Sequence, residues 1–394
     1  DAVRFNDQST AGNAQITVNE SGTVTLADQS DGGIARIANS GATVLEGSAT
    51  LVGGQITNNE TGSVTFRDQA TAGTTAFIGN SGSVRFENES SLGTAALTNN
   101  TTGSATFTGA STAADGFISN SGELSFADTS SAGTSEIVGN VGGAISFAGD
   151  STAAQAQIAS AGNITFAERA TAGAASITIG DGATVSFADE TSGGTARVQL
   201  DAGATLDIRD AQNTIGLNQL TGAGEARLGA NTLALGDDTP LTNFDGTISD
   251  DGAGGSLIKR GTGTLNLSGT SNYRGATRVQ DGTLEAGREN AFAPLSAFTL
   301  EAPATLALAD FNQTIGSLAG AGAVDLVDAA LTTGGNDGST TFSGVLAGTG
   351  GVVKDGAGIF TLSGNNTHSG QTLVRAGRLA VDGSIAASDV TVDA

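Results

Sequence analysis

Few residues in this chain have side chains suited to bond-making chemistry. His368 is the single imidazole, and there is no cysteine. A thiol nucleophile, a zinc–thiolate centre and a disulfide are therefore excluded. A serine hydrolase would need His368 as its base, and Gly149-Asp150-Ser151 has the look of a nucleophilic-serine motif. Both read better as structure. His368 stands where a related segment carries Tyr273, and Gly149–Ser151 aligns with the turn variants "RDQA" at 67–70 and "ADTS" at 127–130. G-x-S-x-G and a complete phosphate-binding loop with GK[ST] are both lacking. The segment "GGNDGSTTF" at 334–342 partly resembles a calcium-binding nonapeptide, but it occurs once and without the full spacing, so it reads as a loop. We expect no catalytic residue and no cofactor.

The remaining chemistry is acidic. Asp7, Asp28, Asp68, Asp128, Asp150, Glu168, Asp189 and Asp210 recur soon after a repeated apolar run, and Asn88 takes the place in one copy. Two readings stay open. Each carboxylate starts a turn by accepting backbone N–H bonds, or the carboxylates stack into a ladder that recruits metal cations. Repulsion within a ladder raises carboxylate pKa values, whereas turn hydrogen bonds lower them. Phe77 and Phe117 fall between inward-facing neighbours, so they point outward about two repeats apart and form a candidate contact patch.

These residues are positioned by a twenty-residue repeat. "SVTF" (63–66), "SVRF" (83–86), "SATF" (104–107), "ELSF" (123–126), "AISF" (144–147), "NITF" (163–166) and "TVSF" (184–187) place Phe at 66, 86, 107, 126, 147, 166 and 187. Apolar and polar residues alternate within each, as in a strand with one buried face. A second signal, small-x-aliphatic, runs from Ala14/Ile16 to Ala196/Val198. Asn39, Asn59, Asn80, Asn100, Asn120 and Asn140 follow it, and we read them as chain-reversing residues that tolerate positive φ.

Two short strands cannot bury a core alone, but stacked copies can. The expected fold is all-β: a right-handed parallel β-helix, or β-solenoid, of about 20 residues per coil, since parallel crossovers prefer that hand. An antiparallel sandwich or propeller is the rival, weakened because this period is about half a propeller blade. Near residue 200 the repeat loosens. "ATLDIRDAQNTIG" (204–216) matches "ATLALADFNQTIG" (304–316), and the segment 257–287 matches 352–382. We divide the chain into 1–200, the regular β-helix, and 201–394, its continuation in two longer repeats, about 201–300 and 301–394. A single rod roughly 90 Å long is expected from about 4.8 Å per coil.

Composition narrows the partners. A net charge of −24 with only 16 Lys and Arg argues against nucleic acid. No apolar run approaches the length of a membrane-spanning helix, so no direct membrane insertion is expected of this chain. The absence of Met and of a signal peptide reads as a processed or excised piece.

The phrase G-x-G-x-L/F-x-L-S-G-x-(N/S)-x-(Y/H)-x-G-x-T-x-V-x-x-G-x-L occurs at Gly261–Leu284 and Gly356–Leu379. It resembles the passenger-associated transport repeat of bacterial autotransporters, the type V secretion proteins. The shorter units resemble repeats of large autotransporter passengers. The resemblance implies a passenger exported across the outer membrane of a Gram-negative bacterium to the cell surface or the extracellular space. It also implies a C-terminal β-barrel translocator, absent from this chain. Passengers include adhesins, proteases, lipases and toxins, so the family alone does not fix the activity. The expected role is a non-enzymatic adhesin or self-association rod, with itself or a component of the host surface or extracellular matrix as partner. The alternatives are a stalk for a tip outside this segment, or a glycan-processing β-helix enzyme. A hydroxyl array for ice binding, from Thr23, Thr25, Ser63, Thr65 and their repeats, is interrupted by Arg85, Glu123 and Ala144.

Overall fold

The structure, a computed structural model, describes residues 1–236 and 238–393. Every strand pairing resolved between coils is parallel, and no helix occurs among the described residues. The fold is a β-solenoid of about 21 residues per turn. The chain separates into two compact units, Asp1–Arg197 and Val198 onward.

In the first unit each coil contributes two four-residue strands and one single-residue bridge. One sheet stacks the strands that end in the phenylalanine position, from Ala2–Phe5 and Thr23–Leu26 through to Thr184–Phe187. A second stacks the aliphatic strands, among them Arg36–Asn39, Gln55–Asn58, Phe77–Asn80 and Ala96–Asn99. The third side is a line of parallel bridges from Thr10 through Asp31, Thr50 and Thr71 to Ser192. Alternation along each strand fixes which side chains enter the core, because neighbouring residues face opposite ways. Phe126 therefore lies in register with Phe147, and Ile37 with Ile56.

Stacking in register turns like residues into columns. Seven phenylalanine rings, from Phe66 to Phe187, are buried with adjacent centroids 4.5 to 4.8 Å apart and interplanar angles of 4 to 10°. The inter-strand spacing sets the centroid separation and brings the rings into this near-parallel stack. Removing one such buried ring typically costs about 3–5 kcal/mol.

The turns are also stacked. Two residues after the phenylalanine position, φ is positive at Asp7, Asp28, Gly47, Asp68, Asn88, Gly109, Asp128, Gly149, Glu168 and Asp189. Asp, Asn and Gly are the residues that bear this conformation most readily. A second left-handed corner follows each bridge. In most coils its amide donates to the bridge side chain two residues back, as in Gly73 N–H to Thr71 Oγ1 at 2.9 Å and Gly133 N–H to Ser131 Oγ at 3.0 Å.

The second unit repeats the principle with more varied loops. Ile215–Leu217, Thr232–Gly236, Ser256–Arg260 and Thr277–Val279 open one of its parallel sheets. Gln313–Thr314, Leu331–Thr333, Val352–Lys354, Thr372–Val374 and Val390–Val392 form another.

Candidate functional site

The residues with catalytic potential are taken up by the core. His368 is fully buried, and its Nε2 lies 3.0 Å from Thr372 Oγ1, while Nδ1 has no partner. Burial pushes its imidazole below the ordinary histidine pKa. Tyr273 holds the equivalent place, with its hydroxyl 2.6 Å from Thr277 Oγ1. Each threonine is bonded onward to a serine, Thr277 to Ser296 at 2.7 Å and Thr372 to Ser388 at 2.8 Å. Ser151 is likewise fully buried, in a column of small residues with Ser111, Ser130 and Ala170. The Gly149-Asp150-Ser151 triplet is thus a turn leading into the core.

The acids do not form one unbroken column at the corner. Asp7, Asp28, Asp68, Asp128, Glu168 and Asp189 occupy the left-handed corner, but Gly47, Asn88, Gly109 and Gly149 interrupt them. Asp150 lies one residue beyond that corner and pairs with Arg169, whose hydrogen bonds hold its carboxyl below the usual range. Asp210 also lies outside the positive-φ set. Coils of unequal length displace an acid by one residue without changing its sequence neighbourhood. After Asp7, each corner carboxylate reaches the coil before it. Asp28 Oδ2 accepts the Asp7 N–H at 3.1 Å, Asp68 the Gly47 N–H at 3.0 Å, Asp128 the Gly109 N–H at 2.9 Å, and Glu168 the Gly149 N–H at 2.8 Å. The turn reading is correct in kind, but the N–H belongs to the coil before. Among the described residues, no three His, Cys, Asp or Glu side chains converge as a metal site.

The asparagines also differ from expectation. Asn39, Asn58, Asn80, Asn99 and Asn120 end their strands, buried and in register. The Nδ2 of each of the first four donates to the Oδ1 of the next, at 2.7 to 2.8 Å. The same nitrogen reaches the carbonyl that opens a strand of the other sheet, as in Asn58 to Ser83 O at 3.1 Å. None of these five has positive φ. Asn59, Asn100 and Asn140, expected in that column, lie one residue outside it and bond to Ser40, Ser81 and Ser121.

Sequence reasoning missed two buried lysines. Lys259 and Lys354 are 1% and 0% exposed and occupy matching places in the two long repeats. Lys354 Nζ donates to the carbonyls of Asp355, Gly356 and Ala376 at 2.7 to 3.1 Å. Lys259 makes the same contacts to Arg260, Gly261 and Asp281. A repeated "K-x-G" after a strand was the available signal. Asp250, nearly buried, was missed too. Desolvation disfavours its charge, but N–H bonds from Arg274, Gly252 and Gly254 outweigh that and hold its pKa low.

The two phenylalanines expected to point outward lie on the aliphatic-strand sheet of the first unit. Phe77 and Phe117 are each 40% exposed and flank Ala96 in one outward column. A shallow hollow beside them is lined by Gln15, Ile34, Arg36, Gln55 and Phe77.

Residues 257–286 and 352–381, the segments holding the two lysine cages, match the passenger-associated-transport-repeat family. The chain is 38% identical over 158 residues to the adhesin BmaC autotransporter of Brucella suis biovar 1 (strain 1330), covering 38% of this chain and 4% of that protein. The chain thus carries two passenger-associated transport repeats and is similar to an autotransporter adhesin. The chain is also 48% identical over 48 residues to an extracellular serine protease of Serratia marcescens, covering 12% of this chain and 5% of that protein. It therefore spans only a small part of the length of these curated relatives.

Proposed function

We propose that this passenger segment is a non-enzymatic adhesive shaft, carried on the surface of a Gram-negative bacterium or released from it, that acts by lateral association with further copies of itself. The observation that carries the reading is the outward face around Phe77, Ala96 and Phe117, where two half-exposed rings sit among small and hydroxyl side chains. Similarity to a Brucella adhesin supports an adhesive role. The placement of His368 and Ser151 inside the core supports a non-enzymatic one. Contacts between neighbouring coils dominate such a fold, so it can form coil by coil as the chain emerges.

The similarity to an extracellular serine protease favours one second reading: this segment is a stalk, and activity resides in a tip elsewhere in the protein. Display of the segment on a non-aggregating bacterial host separates the two. Adhesive shafts make the cells settle as clumps, and added soluble segment disperses them. Cells that stay suspended at high display density would contradict the adhesive reading.

A further inference from the structure

We infer that the aliphatic-strand face of the first unit is a self-complementary interface that pairs two copies antiparallel, resting on the self-association reading above. Its outward column runs Arg36, Gln55, Phe77, Ala96, Phe117, Glu136, one residue per coil in continuous register. Arg36 and Glu136 are thus five strand spacings apart, about 24 Å. Both are exposed, and neither side chain has a hydrogen-bond or ion-pair partner among the described residues. The midpoint between them falls between Phe77 and Ala96.

A two-fold axis that passes over that midpoint, lying in the interface plane and running along the strands, sets Arg36 against Glu136 of the second copy and Glu136 against its Arg36. The same operation lays Phe77 over Ala96 of the second copy, and Gln55 opposite its Phe117. Two-fold interfaces have this reciprocal pattern, in which residue i meets j and j meets i. The neighbouring outward column is Ala38, Thr57, Gly79, Thr98, Ser119 and Val138. Its small side chains leave the faces free to approach. Phe77 already leans over Gly79, where a built Cβ would lie 3.4 Å from the ring.

Charge selects both the face and the direction. The chain carries −24 overall, so copies repel over most of their surface. Between Arg36 and Glu136 these two columns contain no charged residue. Parallel, in-register pairing would set Arg36 against Arg36 and Glu136 against Glu136, which works against that orientation.

The test is sedimentation equilibrium of the whole 394-residue chain at moderate salt, with Arg36→Glu and Glu136→Arg measured singly and mixed. Thermal melts establish that each variant folds, as expected for exposed sites. Each single variant places two like-charge contacts in its own dimer, and its association should weaken at least about tenfold. The equimolar mixture restores both opposite-charge contacts, and the heterodimer should recover parental affinity. Parental association unchanged by either variant overturns this interface while leaving self-association intact. Weakened singles with no recovery on mixing overturn the antiparallel register. A parent that stays monomeric at every concentration removes the self-association reading, and the interface with it.

Discussion

Asn58 Nδ2 donates to Asn80 Oδ1 at 2.8 Å inside the first unit, whereas Asn59, the next residue, bonds to the exposed hydroxyl of Ser40. Adjacent, chemically identical side chains therefore have different energetic roles. Asn58→Ala leaves the Asn39 amide without its acceptor and removes donors from Asn80, Gly62 and Ser83. Each buried group left unpaired costs about 1–3 kcal/mol. We expect Asn58→Ala to lower the denaturant midpoint clearly and Asn59→Ala to stay within about 0.5 kcal/mol of the parent. Equal effects would show that the ladder contributes nothing specific.

The column of small buried residues gives a stabilising prediction. The hydroxyls of Ser111, Ser130 and Ser151 are buried without a partner, and Ala49, Ala70 and Ala170 occupy the same column in other coils. Ser111→Ala removes an unsatisfied group from a site that already accepts alanine. It should raise stability by about 1 kcal/mol, read from guanidinium unfolding. A loss of that size would mean the hydroxyl has a partner.

The lysine cage is a joint of the long repeat. Lys354→Met keeps most of the buried stem but leaves the carbonyls of Asp355, Gly356 and Ala376 without their shared donor. Each buried carbonyl left without a donor costs about 1–3 kcal/mol. Hydrogen exchange should speed up around 352–381 and stay unchanged in the first unit. Unchanged protection around the cage would refute the assignment.

His368 gives the second long repeat a pH response that the first lacks. Burial lowers its folded pKa, so the unfolded chain, near 6.5, takes up the proton first as pH falls. Stability is therefore fully present above about 6.5 and is lost as pH drops from there toward the folded value. His368→Tyr copies Tyr273 and removes this contribution. Carboxylates titrate in both proteins, so the test is the difference: between pH 7.5 and 5.5 the parent should lose more melting temperature than His368→Tyr. Parallel losses would mean His368 does not contribute.

The fold was legible because alternation and period reinforce each other. Phe66, Phe86 and Phe107 mark one inward position whatever the turns do. The errors are one-residue slips at coil corners. In "NN" at 58–59 and 99–100 either asparagine satisfies the local pattern, and only the stacked register decides which one enters the core. Asp150 was displaced the same way, because Gly149 takes the left-handed corner in that coil. Lys259 and Lys354 were not legible as core, because a charged residue ending a strand reads as solvated. The carbonyls that hold them come partly from loops some 22 residues away. The proposed contact face was half legible. Phe77 and Phe117 show in the sequence as outward, but the symmetric placement of Arg36 and Glu136 depends on the register of five coil-to-coil steps.

The most direct measurement of the central claim is binding of soluble chain to sensor surfaces coated with the chain itself, with extracellular-matrix protein, or with inert blocker. Self-association through the first unit predicts saturable binding to the chain-coated surface that excess soluble chain competes away and Arg36→Glu weakens. Retention on the matrix surface alone, or equal retention on chain and blocker, would contradict it.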